Sequence, residues 1–135
     1  MHFVPIPGRY EDLNNSFDIW SPFLKDISRR SKEPVLDLLA QIARLEVAIA
    51  LVWDGKAARA LVGVRFRQRG NDLIGEIVWL TGKGMREWRH LLTEMESYLK
   101  QRGCVEIKPI CRPGWSRFLK QRGYRTTHLT MEKKL

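Results

Sequence analysis

The sequence predicts an α+β fold in which a mixed central sheet of about six to seven strands is flanked by helices. Three observations predict this class. The length of 135 residues suits one domain, residues 1–135, with a real core. Three strand-like segments follow one another through turn signals, and strands then alternate with helices. The predicted order of elements is β-α-α-β-β-β-α-β-α-β.

The first third of the chain is predicted to hold an edge strand and two helices. Prolines punctuate the short apolar segment 2–7, which suits an edge strand. Ser21-Pro22 is a helix-start signal within apolar residues at helical spacing. Glu33-Pro34 opens a second helix with one apolar face.

The middle of the chain predicts an antiparallel meander of three strands. Residues 45–53 are continuously apolar and partly β-branched, and Asp54-Gly55 is a hairpin signal before the strand at 57–67. A further turn, Gly70-Asn71-Asp72, leads into the strand at 73–80, which is apolar on both faces as a central strand would be.

The last third predicts alternating helices and strands. Residues 85–102 form the longest predicted helix, ended by Gly103, and residues 105–110 form a strand. A short helix at 113–121 ends at Gly123, and a final strand covers 124–132. The crossover implies parallel pairing of the fourth and fifth strands, which we expect to splay apart where the fourth ends near Leu80.

The net charge of +9 and the pI near 10.0 indicate an anionic partner, or a solvated basic face. No segment has the roughly 20 apolar residues of a membrane span, and the N-terminus has no secretory pattern, so a cytoplasmic protein without membrane contact is expected. Cys104 and Cys111 read as reduced thiols, and His2, His90 and His128 are too scattered for a metal site.

The junction between the fourth strand and the long helix carries the clearest chemical signal. The first amides of a helix lack intrahelical acceptors, so the run Thr81-Gly82-Lys83-Gly84-Met85-Arg86 lets phosphate oxygens approach bare N–H groups. Lys83 and Arg86 would add positive charge. The alternative is that Gly82 and Gly84 serve only the turn.

Together with this turn, the order of elements resembles the GNAT superfamily of N-acetyltransferases, in which a Q/R-x-x-G-x-G/A turn binds the coenzyme A pyrophosphate. Gly84 matches the invariant glycine, whereas Thr81 and Arg86 depart from the pattern. The resemblance implies acetyl-CoA as cofactor and an amine as acyl acceptor. The implied cofactor-binding residues are Leu80, Thr81, Gly82, Lys83, Gly84, Met85, Arg86 and Arg112.

A second resemblance lies in the segment from Arg112 to Tyr124. Family members often read N-x-x-A-x-x-x-Y-x-x-x-G-F here, and Gly123-Tyr124 matches the end of that pattern. Leu119 stands where the family has the tyrosine that protonates the departing thiolate, and leucine has no proton to donate. The chain also looks like small GNAT-like proteins of phage and prophages, so an N-acetyltransferase and an inactive assembly or interaction domain both stay open.

Acyl transfer to an amine needs a base that removes a proton from the ammonium group. Glu76 is the acid on the strand before the turn, and it is either that base or a residue reaching solvent. The rival function is nucleic-acid binding, because Arg65, Arg67 and Arg69 alternate along one strand. A monomer and a homodimer are both compatible with the sequence.

Overall fold

The computed structural model describes residues 1–82, 85–110, 113–128 and 131–135, and its five strands form one mixed sheet in the order β1-β2-β3-β4-β5. The strands are β1 (His2–Pro5), β2 (Ala48–Trp53), β3 (Ala58–Arg69), β4 (Asp72–Gly82) and β5 (Cys104–Pro109). Strands β1 to β4 pair antiparallel in sequence order, and β5 pairs parallel to β4. The predicted meander and the parallel crossover are confirmed.

Seven helices accompany the sheet in the described part of the chain. They are α1 (Tyr10–Asn15), α2 (Phe17–Trp20), α3 (Leu24–Ser31), α4 (Val35–Ala43), α5 (Met85–Trp88), α6 (Leu92–Gln101) and α7 (Pro113–Gln121). Short 3₁₀ turns at Ser21–Phe23 and Arg89–Leu91 link α2 to α3 and α5 to α6. Within the described ranges no helix is both long and apolar enough to cross a bilayer.

The core consists of one apolar cluster on each face of the sheet. On the α1–α4 face, Trp20, Leu24 and Leu38 pack against the strands with Trp79. On the α6–α7 face the helices contribute a second set of buried side chains, namely Leu91, Leu92, Met95, Leu99 and Leu119. Because helices cover both faces of the sheet, the side chains of the central strands are apolar on both faces, as the sequence of β4 predicted.

The long helix predicted for residues 85–102 is divided in the structure. A 3₁₀ turn at Arg89–Leu91 separates α5 from α6, although Leu91, Leu92, Met95 and Leu99 are buried as their spacing predicted. The predicted helix ends are confirmed, since Gly103 and Gly123 have φ angles of 90° and 89°. Such left-handed angles are accessible to glycine without the clash that a Cβ atom causes.

The prediction of six to seven strands is wrong, because the sheet has five strands in the part of the chain that the structure describes. Its predicted last strand, 124–132, has no regular structure at 124–128 or 131–135, while Leu129 and Thr130 lie outside the described residues. The physical reason is that residues 125–128 are all exposed. A segment that buries no alternating apolar face gains little from pairing with the edge of β5.

Candidate functional site

Strand β4 changes its surroundings at Ile77. From Leu73 to Ile77 it is paired on both sides, with β3 and with β5. Just after β5, the Ile110 N–H donates to the Ile77 carbonyl at 2.9 Å. Among the described residues, the pairing of β4 with β5 ends at Ile77, and Trp79 to Gly82 pair with β3. This end of the pairing lies at the carboxyl ends of two parallel strands, where α/β sheets bind ligands. Cys111 and Arg112, which follow β5, lie outside the described residues, so the splay near Leu80 stays a prediction.

A β-bulge at Val78 lies just past this end of the pairing. Val64 lies opposite Ile77 and Gly63 opposite Trp79, so Val78 has no partner in β3, nor has it one among the described residues of β5. A bulge turns the following side chains to new directions. Ile77 accordingly packs on the α6–α7 face, whereas Val78 and Trp79 both pack on the α1–α4 face.

Gly63 makes room for the Trp79 ring at the bulge. A Cβ atom on Gly63 would lie 2.6 Å from Cε3 of Trp79, closer than packed atoms come. Trp79 is 6% exposed and belongs to the core of the α1–α4 face. The indole therefore packs as a structural residue, and Trp115 is likewise half-buried against the other apolar cluster.

The side chain of Thr81, which the sequence assigned to the cofactor turn, is turned into the protein. Thr81 is 4% exposed and its hydroxyl donates to the Asp26 carboxylate on α3. Asp26 also accepts a bond from Arg29 and forms an ion pair with Arg30. The Thr81 side chain thus fastens the end of β4 to α3, and only the Thr81 main chain stays available to the predicted splay between β4 and β5.

Gly82 is required by the close approach of β3. Its φ angle is 149°, and a Cβ atom on it would lie 2.3 Å from the carbonyl oxygen of Arg59 and 2.6 Å from the Ala60 Cα. The sequence suggested that Gly82 serves either a phosphate or the turn. The structure supplies a third reason, which is that no side chain fits between the two strands at this point.

The other residues of the predicted turn divide into three groups. Leu80 packs against the apolar cluster of the α6–α7 face. Met85 and Arg86 begin α5, with the Arg86 side chain exposed. Lys83, Gly84 and Arg112 lie outside the described residues.

An ion pair that the sequence did not suggest links the helix after this turn to β3. The Arg59 guanidinium donates to Glu87 of α5 at 2.8 Å, and it lies 3.7 Å from Asp54. Hydrogen bonds from the Ala57 and Lys56 amides are the main causes that lower the Asp54 pKa. Arg59 and Glu87 are 28 positions apart, so no local pattern could have revealed this pair.

Glu76, the predicted base, lies in the half of β4 that is paired on both sides. Its side chain is 13% exposed and 3.8 Å from the Arg67 guanidinium. The register places Glu76 between Arg65 of β3 and Lys108 of β5. Because Gly75 faces Leu99 of α6, alternation along the strand puts Glu76 on the α1–α4 face.

Leu119 and Tyr124 occupy the region where the resemblance implies a proton donor. Leu119 is 6% exposed within the core of the α6–α7 face. The Tyr124 N–H donates to the Leu119 carbonyl at 3.1 Å, which closes the end of α7. The Tyr124 hydroxyl is buried without a hydrogen-bond partner among the described residues. Burial and, secondarily, the Glu96 carboxylate raise the Tyr124 pKa well above its ordinary value.

The three alternating arginines of β3 have partners within the domain. Arg65 donates to Gln41 of α4 at 3.1 Å, and Arg67 is 3.8 Å from Glu76. Arg69 bonds Glu106 of β5 at 2.7 Å. That contact raises the Arg69 pKa and is the main cause that lowers the Glu106 pKa. The three arginines whose alternation suggested a phosphate-binding strand therefore contact residues of neighbouring helices and strands.

No protein-family model matches the sequence, and no curated protein matches it. Solved structures do match. A probable acetyltransferase superposes with a TM-score of 0.71 at 11% identity, covering 100% of this chain and 97% of that one. Ribosomal-protein-alanine N-acetyltransferase from Brucella melitensis gives 0.70 at 8%, covering 100% and 99%. Glucosamine-6-phosphate N-acetyltransferase from Arabidopsis thaliana gives 0.65 at 12%, covering 99% of each chain. The chain has the fold of the GNAT-type N-acetyltransferases.

Proposed function

We propose that this domain binds acetyl-CoA in the opening between β4 and β5 and transfers the acetyl group to an amine. The observation that carries the proposal is the change in β4 at Val78, where the strand is bulged towards β3 and has no partner among the described residues of β5. Backbone groups along a strand that lacks one neighbour can hydrogen-bond an extended ligand. The pantetheine arm of coenzyme A, with its two amide groups, is such a ligand.

The fit of the cofactor rests on main-chain chemistry. The apolar contacts of Leu80 and the hydrogen bond from Thr81 to Asp26 hold the end of β4 in place. On the other side of the turn, the Arg59–Glu87 ion pair holds α5. In this proposal the amides from Gly82 to Arg86 hold the pyrophosphate, and Lys83, Arg86 and Arg112 add positive charge. Met85 contributes its main chain.

When bound, acetyl-CoA supplies a thioester that an amine can attack. The residue proposed as base is Glu76, whose carboxylate lies two positions before Val78 on β4 and is partly exposed. At about 3.3 Å per residue, two positions span roughly 7 Å, so Glu76 reaches the amine through a water molecule or through movement of the Arg67 side chain.

Binding without transfer is the second candidate function, and Leu119 favours it. A buried leucine stands where the resemblance has a proton-donating tyrosine. In that case the opening would hold coenzyme A in an inactive interaction domain. Formation of the N-acetylated amine, with free thiol released in equal amount and above the rate of hydrolysis without amine, distinguishes the two functions, because only transfer produces both.

Titration calorimetry with acetyl-CoA tests the site. Gly84→Val should weaken binding by about 30-fold, ~2 kcal/mol, because a side chain would intrude between backbone and phosphate. Lys83→Ala should weaken it by only about 5-fold, since an exposed ammonium contributes a screened charge. Gly70→Val is the control, because Gly70, with a φ angle of 61°, lies in the β3–β4 hairpin, away from the turn after β4. Unchanged affinity in a folded Gly84→Val protein would refute the site.

A further inference from the structure

The positive charge of this protein is concentrated in its last 39 residues. Residues 97–135 contain ten lysines and arginines but only two acidic residues, Glu106 and Glu132. Residues 1–96 contain 14 basic and 13 acidic residues. The formal charges of the two parts are therefore +8 and +1. The anionic partner that the net charge indicates should accordingly meet the later part of the chain.

The fold places much of this charge on one side of the molecule. Helices α6 and α7 lie on the same face of the sheet, because Leu92, Met95 and Leu119 belong to one apolar cluster. Their outer sides and the segment after α7 carry a set of exposed cations, which we term the α6–α7 basic surface. It consists of Lys100, Arg102, Arg117, Lys120 and Arg125.

Carboxylates neutralise little of this surface in the described structure, where Glu106 interacts electrostatically with Arg125 but more strongly with Arg69. None of its five cations has a carboxylate within 4.0 Å in the described part of the chain. Glu106, the one acid between residues 97 and 128, is bonded to Arg69 at 2.7 Å. The guanidinium of Arg102 stacks on the Tyr98 ring, 5.1 Å from its centroid, and keeps its charge at the surface. The arginines of β3 differ in this respect, because partners within the domain hold them.

The apolar side chains of α7 indicate which kind of polyanion fits. Trp115 and Phe118 are half-buried against the apolar cluster, and Leu119 is buried in it. The outer side of α7 therefore presents cations without large apolar residues between them. A membrane-binding helix inserts apolar side chains among its cations, and the centre of a protein interface is rich in aromatic residues. A phosphate backbone needs neither, since Lys and Arg contacts to phosphates supply most of its affinity.

From this arrangement we propose that the α6–α7 basic surface binds the phosphate backbone of nucleic acid. Lys100 and Arg102 lie at the C-terminal end of α6, whereas the cofactor opening adjoins the segment that precedes its N-terminus. Ten helical residues span about 15 Å, so these two cations are separate from the proposed pyrophosphate site.

Fluorescence anisotropy with a labelled 20-base-pair DNA duplex and a labelled 20-nucleotide RNA tests the proposal. The wild-type protein should bind at moderate salt, with log K falling linearly against log salt concentration. The triple variant Arg117→Gln/Lys120→Gln/Arg125→Gln should bind at least about 10-fold more weakly. It should also have a shallower salt dependence, by about 2 to 3 in slope for the duplex.

The matched control is Lys25→Gln/Lys32→Gln/Lys56→Gln, which removes the same charge from exposed cations elsewhere. It should change affinity by less than about 3-fold, because distant charges are screened. Equal losses in the two variants would overturn the proposal, since net charge alone would then explain binding. So would absence of wild-type binding, or equal affinity for polyglutamate or for anionic phospholipid vesicles. Thermal unfolding should show that both variants fold like the wild type.

Discussion

The two halves of β4 differ in what surrounds them, although the sequence presents them as one apolar strand. From Leu73 to Ile77 the strand is a central element, paired with β3 and with β5. From Val78 to Gly82 it keeps β3 but has no pairing with the described residues of β5, and individual contacts to α3 and the β3 backbone hold it. The candidate site thus lies where regular strand pairing stops and individual side-chain and backbone contacts replace it. Substitutions in the two halves should therefore differ in their effects on stability.

The largest expected change in the free energy of unfolding comes from substitution of a glycine of β4. Gly82→Ala should destabilise the protein by about 3 kcal/mol, because its Cβ would meet the Arg59 carbonyl at 2.3 Å and its φ angle of 149° disfavours a side chain. Gly75→Ala should cost only about 1 kcal/mol, since its neighbour is the movable tip of Leu99. Urea unfolding at pH 7 measures both. Equal decreases in the free energy of unfolding would mean that the end of β4 accommodates an added side chain as easily as its beginning does.

A smaller effect is expected at the bond between β4 and α3. Thr81→Val keeps the shape of the side chain but removes the hydroxyl that donates to Asp26, so it should cost about 2 kcal/mol. Thr93→Val is the control, because its hydroxyl accepts from Arg122 at the exposed surface and its loss should cost less than about 0.5 kcal/mol. Thr81→Ser should retain most of the stability. If Thr81→Val leaves the free energy of unfolding unchanged, the Thr81–Asp26 hydrogen bond does not stabilise the end of β4.

The ion pair beyond β4 should affect local order more than global stability. Arg59 and Glu87 have side chains that are 38% and 58% exposed, so Glu87→Gln should change the free energy of unfolding by less than about 1 kcal/mol. Amide hydrogen exchange in α5 should nevertheless rise by about 5-fold, because α5 loses its link to β3. The charge exchange Arg59→Glu/Glu87→Arg should restore much of the protection. If exchange in Glu87→Gln equals that of the wild type, other contacts hold α5.

The smallest effect concerns the paired half of the sheet, where Arg69 bonds Glu106. This bond lowers the Glu106 pKa below its ordinary value. Its contribution to stability is therefore present above the ordinary carboxylate pKa and disappears as the pH falls through the lowered one. Carbon NMR titration of the Glu106 carboxyl should show the lowered pKa, and Arg69→Gln should return it towards the ordinary value. A Glu106 titration that Arg69→Gln leaves unchanged would exclude this cause.

Local patterns in the sequence predicted most of the elements but not the positions of the site residues. The period of apolar residues located β2, β3, β4 and α6, and glycines located the ends of α6 and α7. Thr81 was assigned to a ligand because of its place in a motif, whereas its hydroxyl bonds a carboxylate 55 positions away. Nothing in the neighbourhood of Asp26 or Glu87 marks either residue as a partner of β3 or β4.

The α+β class, the antiparallel meander, the parallel crossover and the apolar faces of the helices could be predicted from the sequence alone. These follow from interactions between residues close in the chain, namely hydrogen bonds, capping and the alternation of apolar side chains. Other features became visible only in three dimensions. The sheet has five strands in the described residues, β4 is bulged at Val78, and the β3 arginines have partners, whereas no described carboxylate lies within 4.0 Å of the α6–α7 basic surface. These features depend on contacts between side chains and strand edges that are far apart in the sequence. Such contacts are determined by the free energies of packing and pairing between distant segments, which local sequence patterns do not reveal.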